Sequence, residues 1–127
     1  MKAGHRPRPM PLLQTQRMHI RRPPISDRRI RFALVGCGRI AQNHFEAIRQ
    51  HAVQAELVAV CDNDPAVLRD AVGKTQALGF ASLSELLAGS KPDCVVLSTP
   101  SGLHPQQAIE VAAAGADVMT EKPMATR

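Results

Sequence analysis

A chain of 127 residues that is 44% hydrophobic can bury one domain core, while 2% aromatic content with no Trp or Tyr argues against a base-stacking surface for single-stranded nucleic acid. The net charge of +5 is divided unevenly: residues 1–31 hold nine Lys/Arg and one acid (9 − 1 = +8), and residues 32–127 hold seven and ten (7 − 10 = −3). No stretch approaches the ~18 apolar residues of a membrane span, and the Arg-rich start lacks the apolar run of a secretory signal.

Residues 1–29, rich in Pro and Arg and without periodicity, are expected to be a disordered basic extension. Order is expected from Ile30, which makes residues 30–127 the domain. The run IRFALVG reads as a short buried strand. RIAQNHFEAIRQH follows, with Ile40, His44/Phe45 and Ile48 at helical spacing. AELVAVCD is a second buried strand that ends in Asp62. Asp64-Pro65 is a helix N-cap followed by proline at the first helical position.

ALGFA is a candidate third strand. Ser82 with Glu85 three residues on forms the capping-box pattern of a helix expected to end at Gly89. DCVVLSTP is a fourth strand, LHPQQAIEVAAAG a helix closed by Gly115, and ADVMTEKP a fifth strand. Continuous apolar strands alternating with helices predict a doubly wound α/β fold of Rossmann type, with a parallel sheet covered on both faces. Cys37, Cys61 and Cys94 have no metal-ligand spacing, and each falls at or near a strand end. They are expected to be reduced buried thiols of a cytoplasmic protein, and no metal is expected.

The turn Gly36-Cys37-Gly38-Arg39-Ile40-Ala41 joins the first strand to the first helix. Such a turn uses its first glycine to bend, its second to admit a pyrophosphate close to the backbone, and its small last residue to seat the helix. The helix N-terminus then offers N–H groups to the anion. Asp62 lies 21 residues after Ala41, close to the usual spacing of the acid that accepts hydrogen bonds from the adenosine ribose. A carboxylate there repels a 2′-phosphate, and Asn63 and Asp64 supply no arginine to offset it. NAD is therefore the expected cofactor rather than NADP.

VGCGRIAQNH, CDNDP, STPSGLH and TEKPMA occur in this order and at suitable spacing, and with them the chain resembles the Gfo/Idh/MocA family of nicotinamide-dependent sugar oxidoreductases over residues 30–127. RIRFALVGCGRIAQNHFEAI and TPSGLHPQQAI are most similar to members that oxidise the 3-hydroxyl of UDP-N-acetylglucosaminuronate on the route to lipopolysaccharide sugars. The resemblance implies that residues 36–41 bind the cofactor pyrophosphate and Asp62 its adenosine ribose. It further implies that Ser98, Thr99, Pro100 and His104 lie along the nicotinamide half. Glu121 is then a cofactor-ribose contact, and Lys122 the catalytic residue beside the nicotinamide and the reacting alcohol.

Family members continue well beyond the EKP motif into a sugar-binding domain, which also makes the oligomer interface. The expectation is thus a chain carrying the cofactor half of the site, inactive alone, whose longer parent is a homo-oligomer acting on a nucleotide sugar. Another sugar or inositol dehydrogenase of the family, or a protein that only binds NAD, is the alternative. The basic extension could attract nucleic acid or an acidic membrane, but no base-reading motif accompanies it, and neither partner is expected.

Overall fold

The computed structural model describes residues 15–18 and 25–121. In chain order these form β1 (Thr15–Met18), β2 (Ile30–Val35), α1 (Ala41–Gln50), β3 (Ala55–Cys61), α2 (Pro65–Thr75), β4 (Leu78–Phe80), α3 (Leu83–Ser90) and β5 (Cys94–Leu97). A 3-10 turn (Ser101–Leu103), α4 (His104–Ala113) and β6 (Asp117–Glu121) follow.

The strands make one sheet in the order β1-β6-β5-β2-β3-β4. All its neighbours pair in parallel except β1 with β6. Because strand side chains alternate between faces, consecutive residues of β2 enter different cores. Ala33 and Val35 pack with Leu86, Leu87 and Val111 of α3 and α4. Leu34 packs with Ala41 and Ala71 of α1 and α2. The doubly wound α/β expectation therefore holds, and both faces of the central strands are dry.

The helix starts follow from local chemistry. The Asp64 carboxylate accepts the N–H groups of Ala66 and Val67, with Pro65 in the first turn. Ser82 Oγ accepts the Glu85 N–H at 3.2 Å. Gly115 takes φ +89° just after α4, as a closing glycine should. Gly89 does not close α3: the helix runs on to Ser90, and Lys91 adopts the left-handed conformation at φ 47°. Gly89 instead makes room for a ring, since a Cβ there would lie 2.7 Å from Phe80 Cε1.

The expectation of disorder through residue 29 is corrected in two places. Residues 15–18 form β1, antiparallel to β6, with Thr15 opposite Glu121 and Met18 opposite Val118. The edge of β6 presents unpaired backbone groups, which any extended segment within reach can satisfy. Residues 25–29 are also ordered. Arg28 forks onto Asp93, Nη1 donating to Oδ2 at 2.7 Å and Nη2 to Oδ1 at 2.9 Å. Arg29 Nη2 donates to Glu56 Oε1 at 2.7 Å. Asp93 is buried at the start of β5, where a carboxylate needs compensation, and its Oδ2 also accepts the Arg31 backbone N–H at 2.8 Å.

Asp93→Ala strands the part-buried Arg31 amide as well as the Arg28 fork, and is expected to destabilise the chain by about 1–3 kcal/mol in urea unfolding. Arg28→Ala should do less, because that side chain is 48% exposed and water can replace it.

Candidate functional site

The neighbours β2 and β5 lead in opposite directions, β2 through α1 to β3 and β5 through α4 to β6. The chain thus diverges at their carboxyl ends and leaves a crevice, the place where open α/β sheets bind ligands. Gly36 follows β2 at φ 90°. A Cβ on it would stand 2.9 Å from both C and O of Ser98 and 3.0 Å from Thr99 N, so only glycine allows the two strand ends this approach. Hydrogen bonds extend the ladder past both strands: Gly36 N–H donates to Cys61 O and Ser98 N–H to Val35 O, each at 2.8 Å. Gly38 differs, because a Cβ there would meet nothing within 4 Å. No protein packing explains that glycine, and its open side suits the close approach of a ligand.

The crevice encloses about 470 Å³ and is lined by Gly36, Gly38, Asp62, Ser98, Thr99 and Gln107, among others. Asp62 is held on both oxygens, Oδ2 accepting the Cys37 N–H and Oδ1 the Asp64 N–H, each at 2.9 Å. The acid is thereby tied to the glycine turn, and its remaining lone pairs can accept further donors. Ala41 is fully buried under the turn, as the seating residue should be, while Arg39 and Ile40 are exposed, Ile40 at 54%. The helix face that the spacing assigned to Ile40 begins only at Ala41. Helix α1 has no side-chain cap at its N-terminus.

Cys37 is buried, and its Sγ donates to Cys61 O at 3.4 Å. Burial, reinforced by the charge of Asp62, pushes its thiol up to about 12 and that of Cys61 to about 11. Both are thiols without nucleophilic character at neutral pH. Cys94 is buried as well.

Ser98 Oγ is buried and meets no hydrogen-bond partner among the described residues. Beside it, Thr99 Oγ1 donates to Gln107 Oε1 at 2.6 Å, and His104 Nε2 lies 2.7 Å from Thr99 O. A carbonyl only accepts, so His104 carries its proton on Nε2. Pro100 is exposed and leads into the 3-10 turn. Glu121 ends β6. Lys122 lies outside the described residues. The structure therefore gathers Gly36, Gly38, Asp62, Ser98, Thr99 and Pro100 about one crevice, while Cys37, Arg39, Ile40, Ala41 and His104 are not on its lining. Sequence reasoning missed Gln107 and gave Ser82 only a capping role, although both line the crevice. The three-residue step from His104 to Gln107 along α4 was the available signal.

A second groove, of about 410 Å³, runs beside α1 and β3. Its charges pair with one another or with neighbours, Arg49 with Glu46, Arg29 with Glu56 and Lys74 with Asp70. Among the described residues no helix is long and apolar enough to cross a membrane.

The model of the Gfo/Idh/MocA oxidoreductase family, an NAD-binding Rossmann fold, matches residues 30–127. Two similar solved structures are WlbA dehydrogenases in complex with NADH and UDP-GlcNAcA. The one from Chromobacterium violaceum is 63% identical with a TM-score of 0.79, over 86% of this chain and 32% of that one. The one from Bordetella pertussis is 60% identical with a TM-score of 0.77, over 82% and 30%. The inositol 2-dehydrogenase of Rhizobium meliloti is 34% identical over 95 residues, which is 75% of this chain and 28% of the relative. This chain thus spans about a third or less of the length of the proteins it matches.

With a pKa of about 12, some 1 in 10⁴ of Cys37 is thiolate at pH 8, and alkylation of the folded chain is expected to be far slower than that of free cysteine. Mass spectrometry of quenched samples checks this; modification at the free-cysteine rate would overturn it. Since folding raises both thiol pKa values from the ordinary 9.0, their contribution to stability is full below pH 9 and is lost as pH climbs towards 12.

Proposed function

The chain belongs to the Gfo/Idh/MocA oxidoreductase family, whose NAD-binding Rossmann domain it carries, and on that premise we propose that it supplies the cofactor half of a dehydrogenase for a nucleotide-linked sugar. The observation that carries this reading is a pair of groups at the crevice, on the strand ends either side of β2. On one side the Asp62 carboxylate is tied to the glycine turn through the Cys37 N–H at 2.9 Å. On the other the Ser98 hydroxyl is buried without a partner. A buried hydroxyl left unmatched is costly unless a ligand completes it.

A dinucleotide fits these residues. Gly38 leaves room for a pyrophosphate over the uncapped start of α1, whose dipole favours an anion. Arg39 and Ile40 stand exposed at the rim, and Ala41 seats the helix. Asp62 accepts from the adenosine ribose hydroxyls and repels a 2′-phosphate, which selects NAD over NADP. Ser98, Thr99 and Pro100 line the nicotinamide half, with His104 behind them. When bound, NAD supplies the hydride acceptor. In this reading Glu121 contacts the cofactor ribose. Lys122, the residue after β6, donates a hydrogen bond to the substrate oxygen and steadies its negative charge as the C–H bond breaks.

For the substrate, identity of 60–63% to dehydrogenases crystallised with UDP-GlcNAcA outweighs 34% to an inositol 2-dehydrogenase. We therefore assign the parent activity to oxidation of the 3-hydroxyl of that uronate, in the cytoplasm, for lipopolysaccharide sugars, by a homo-oligomer. Apart from Lys122 at the reacting oxygen, no residue of this chain is assigned to the sugar.

Calorimetric titration of the full chain with NAD and then NADP tests the cofactor reading. NAD should bind at least about tenfold more tightly, and Asp62→Ala should weaken NAD by a similar factor, the scale of one charge-assisted hydrogen bond. Equal affinity for the two, or no uptake by a folded sample, would overturn it. In an enzyme that carries this domain, Lys122→Ala is expected to abolish NADH formation from UDP-GlcNAcA; an unchanged rate would overturn the role given to Lys122.

A further inference from the structure

We propose that Gln107 is a positioning residue of the dinucleotide crevice: with His104 it grips Thr99 at both its hydroxyl and its carbonyl, and so holds the Ser98–Thr99 strand end against Gly36. The inference rests on the crevice being a dinucleotide site, and it adds a residue to which that reading gives no part.

Three contacts carry it. Gln107 Oε1 accepts the Thr99 hydroxyl at 2.6 Å. His104 Nε2–H donates to the Thr99 carbonyl at 2.7 Å. The amide of the same Thr99 sits 3.0 Å from the position a Cβ on Gly36 would take. His104 and Gln107 are three residues apart on α4 and so share a face. Thr99 is thus held from the helix side on two atoms and from the sheet side through Gly36. Ser98, between Thr99 and β5, has its amide spent on Val35 O at 2.8 Å and its hydroxyl free.

The consequence is pre-organisation. Residues 98–103 carry the chain from β5 to α4 and would otherwise have the freedom of a connecting segment. A ligand that had to order them would lose affinity in doing so. Fixing Thr99 in advance keeps the Ser98 hydroxyl aimed and the crevice at its width. Gln107 also lines the crevice, and with Oε1 engaged its amide nitrogen is the group left to face an acceptor.

The test is a cycle of near-isosteric variants in the full chain, read by fluorescence titration with NADH. Thr99→Val removes the hydroxyl and Gln107→Leu removes its acceptor. Each should weaken NADH about tenfold, with the thermal midpoint moving only a few degrees. The double variant should be no weaker than either single one, because a single bond has been lost. Thr99→Ser keeps a hydroxyl and should stay within about twofold of the parent. Long-range 15N spectra should show the His104 proton on Nε2. Unchanged NADH affinity in Gln107→Leu, additive losses in the double variant, or Thr99→Ser as weak as Thr99→Val would overturn the proposal while leaving the dinucleotide reading in place. A folded parent that takes up no NADH would overturn both.

Discussion

The contact on which the rest of the site depends is the approach of Gly36 to the Ser98–Thr99 backbone. With a Cβ at 36 the two strand ends would have to part, since the nearest backbone atoms of Ser98 are 2.9 Å away. That approach lets the ladder run one residue past β2 and past β5. It brings the glycine turn within reach of Asp62 and leaves Ser98 Oγ under the crevice floor. Glycine is needed here for two reasons that act together, a positive φ and the absence of space. At Gly38 neither the packing nor a positive φ calls for glycine, which is why a ligand is the better account of it.

Charge is arranged with similar economy at the opposite end of the sheet. The basicity of residues 1–31 suggests an arm reaching for an anionic partner, yet three of its arginines are engaged within the domain. Arg28 forks onto Asp93, and Arg29 and Arg31 both lie beside Glu56. Asp93 in turn anchors the start of β2 through the Arg31 amide, and the Arg31 side chain reaches Ser90 O at 2.7 Å. These cations neutralise a buried acid and a half-buried one, so they add less to the outward field than a count of residues implies.

What could be read from the sequence, and what could not, divides along sequence separation. Gly36, Gly38, Ala41 and Asp62 were legible because a strand and a helix bracket them at fixed spacing. Asp64 and Ser82 were legible because a cap is decided within three residues. Gly89 misled because a glycine near a helix end usually closes it, whereas its partner here is the Phe80 ring from a neighbouring strand. Gln107 acquires meaning only through Thr99, and Arg28 only through Asp93, 65 residues away. β1 had no signature because pairing along an open edge asks for backbone groups, which every residue but proline supplies in full. Lys122 lies outside the described residues, although Thr120 and Glu121 of the same TEKPMA motif end β6.

The sheet order also sets a timetable for synthesis. β2 finds β3 soon after both have left the ribosome, but its other neighbour comes much later, Phe32 pairing with Cys94. Until then the central strand of the finished sheet is an edge, and the walls of the crevice do not exist. β1 waits longer still, because Thr15 pairs with Glu121. Loop closure over such distances is slow compared with local pairing. The first strand to be translated is thus the last to acquire its partner, and a nascent chain must keep it uncommitted while nearly the whole domain is made.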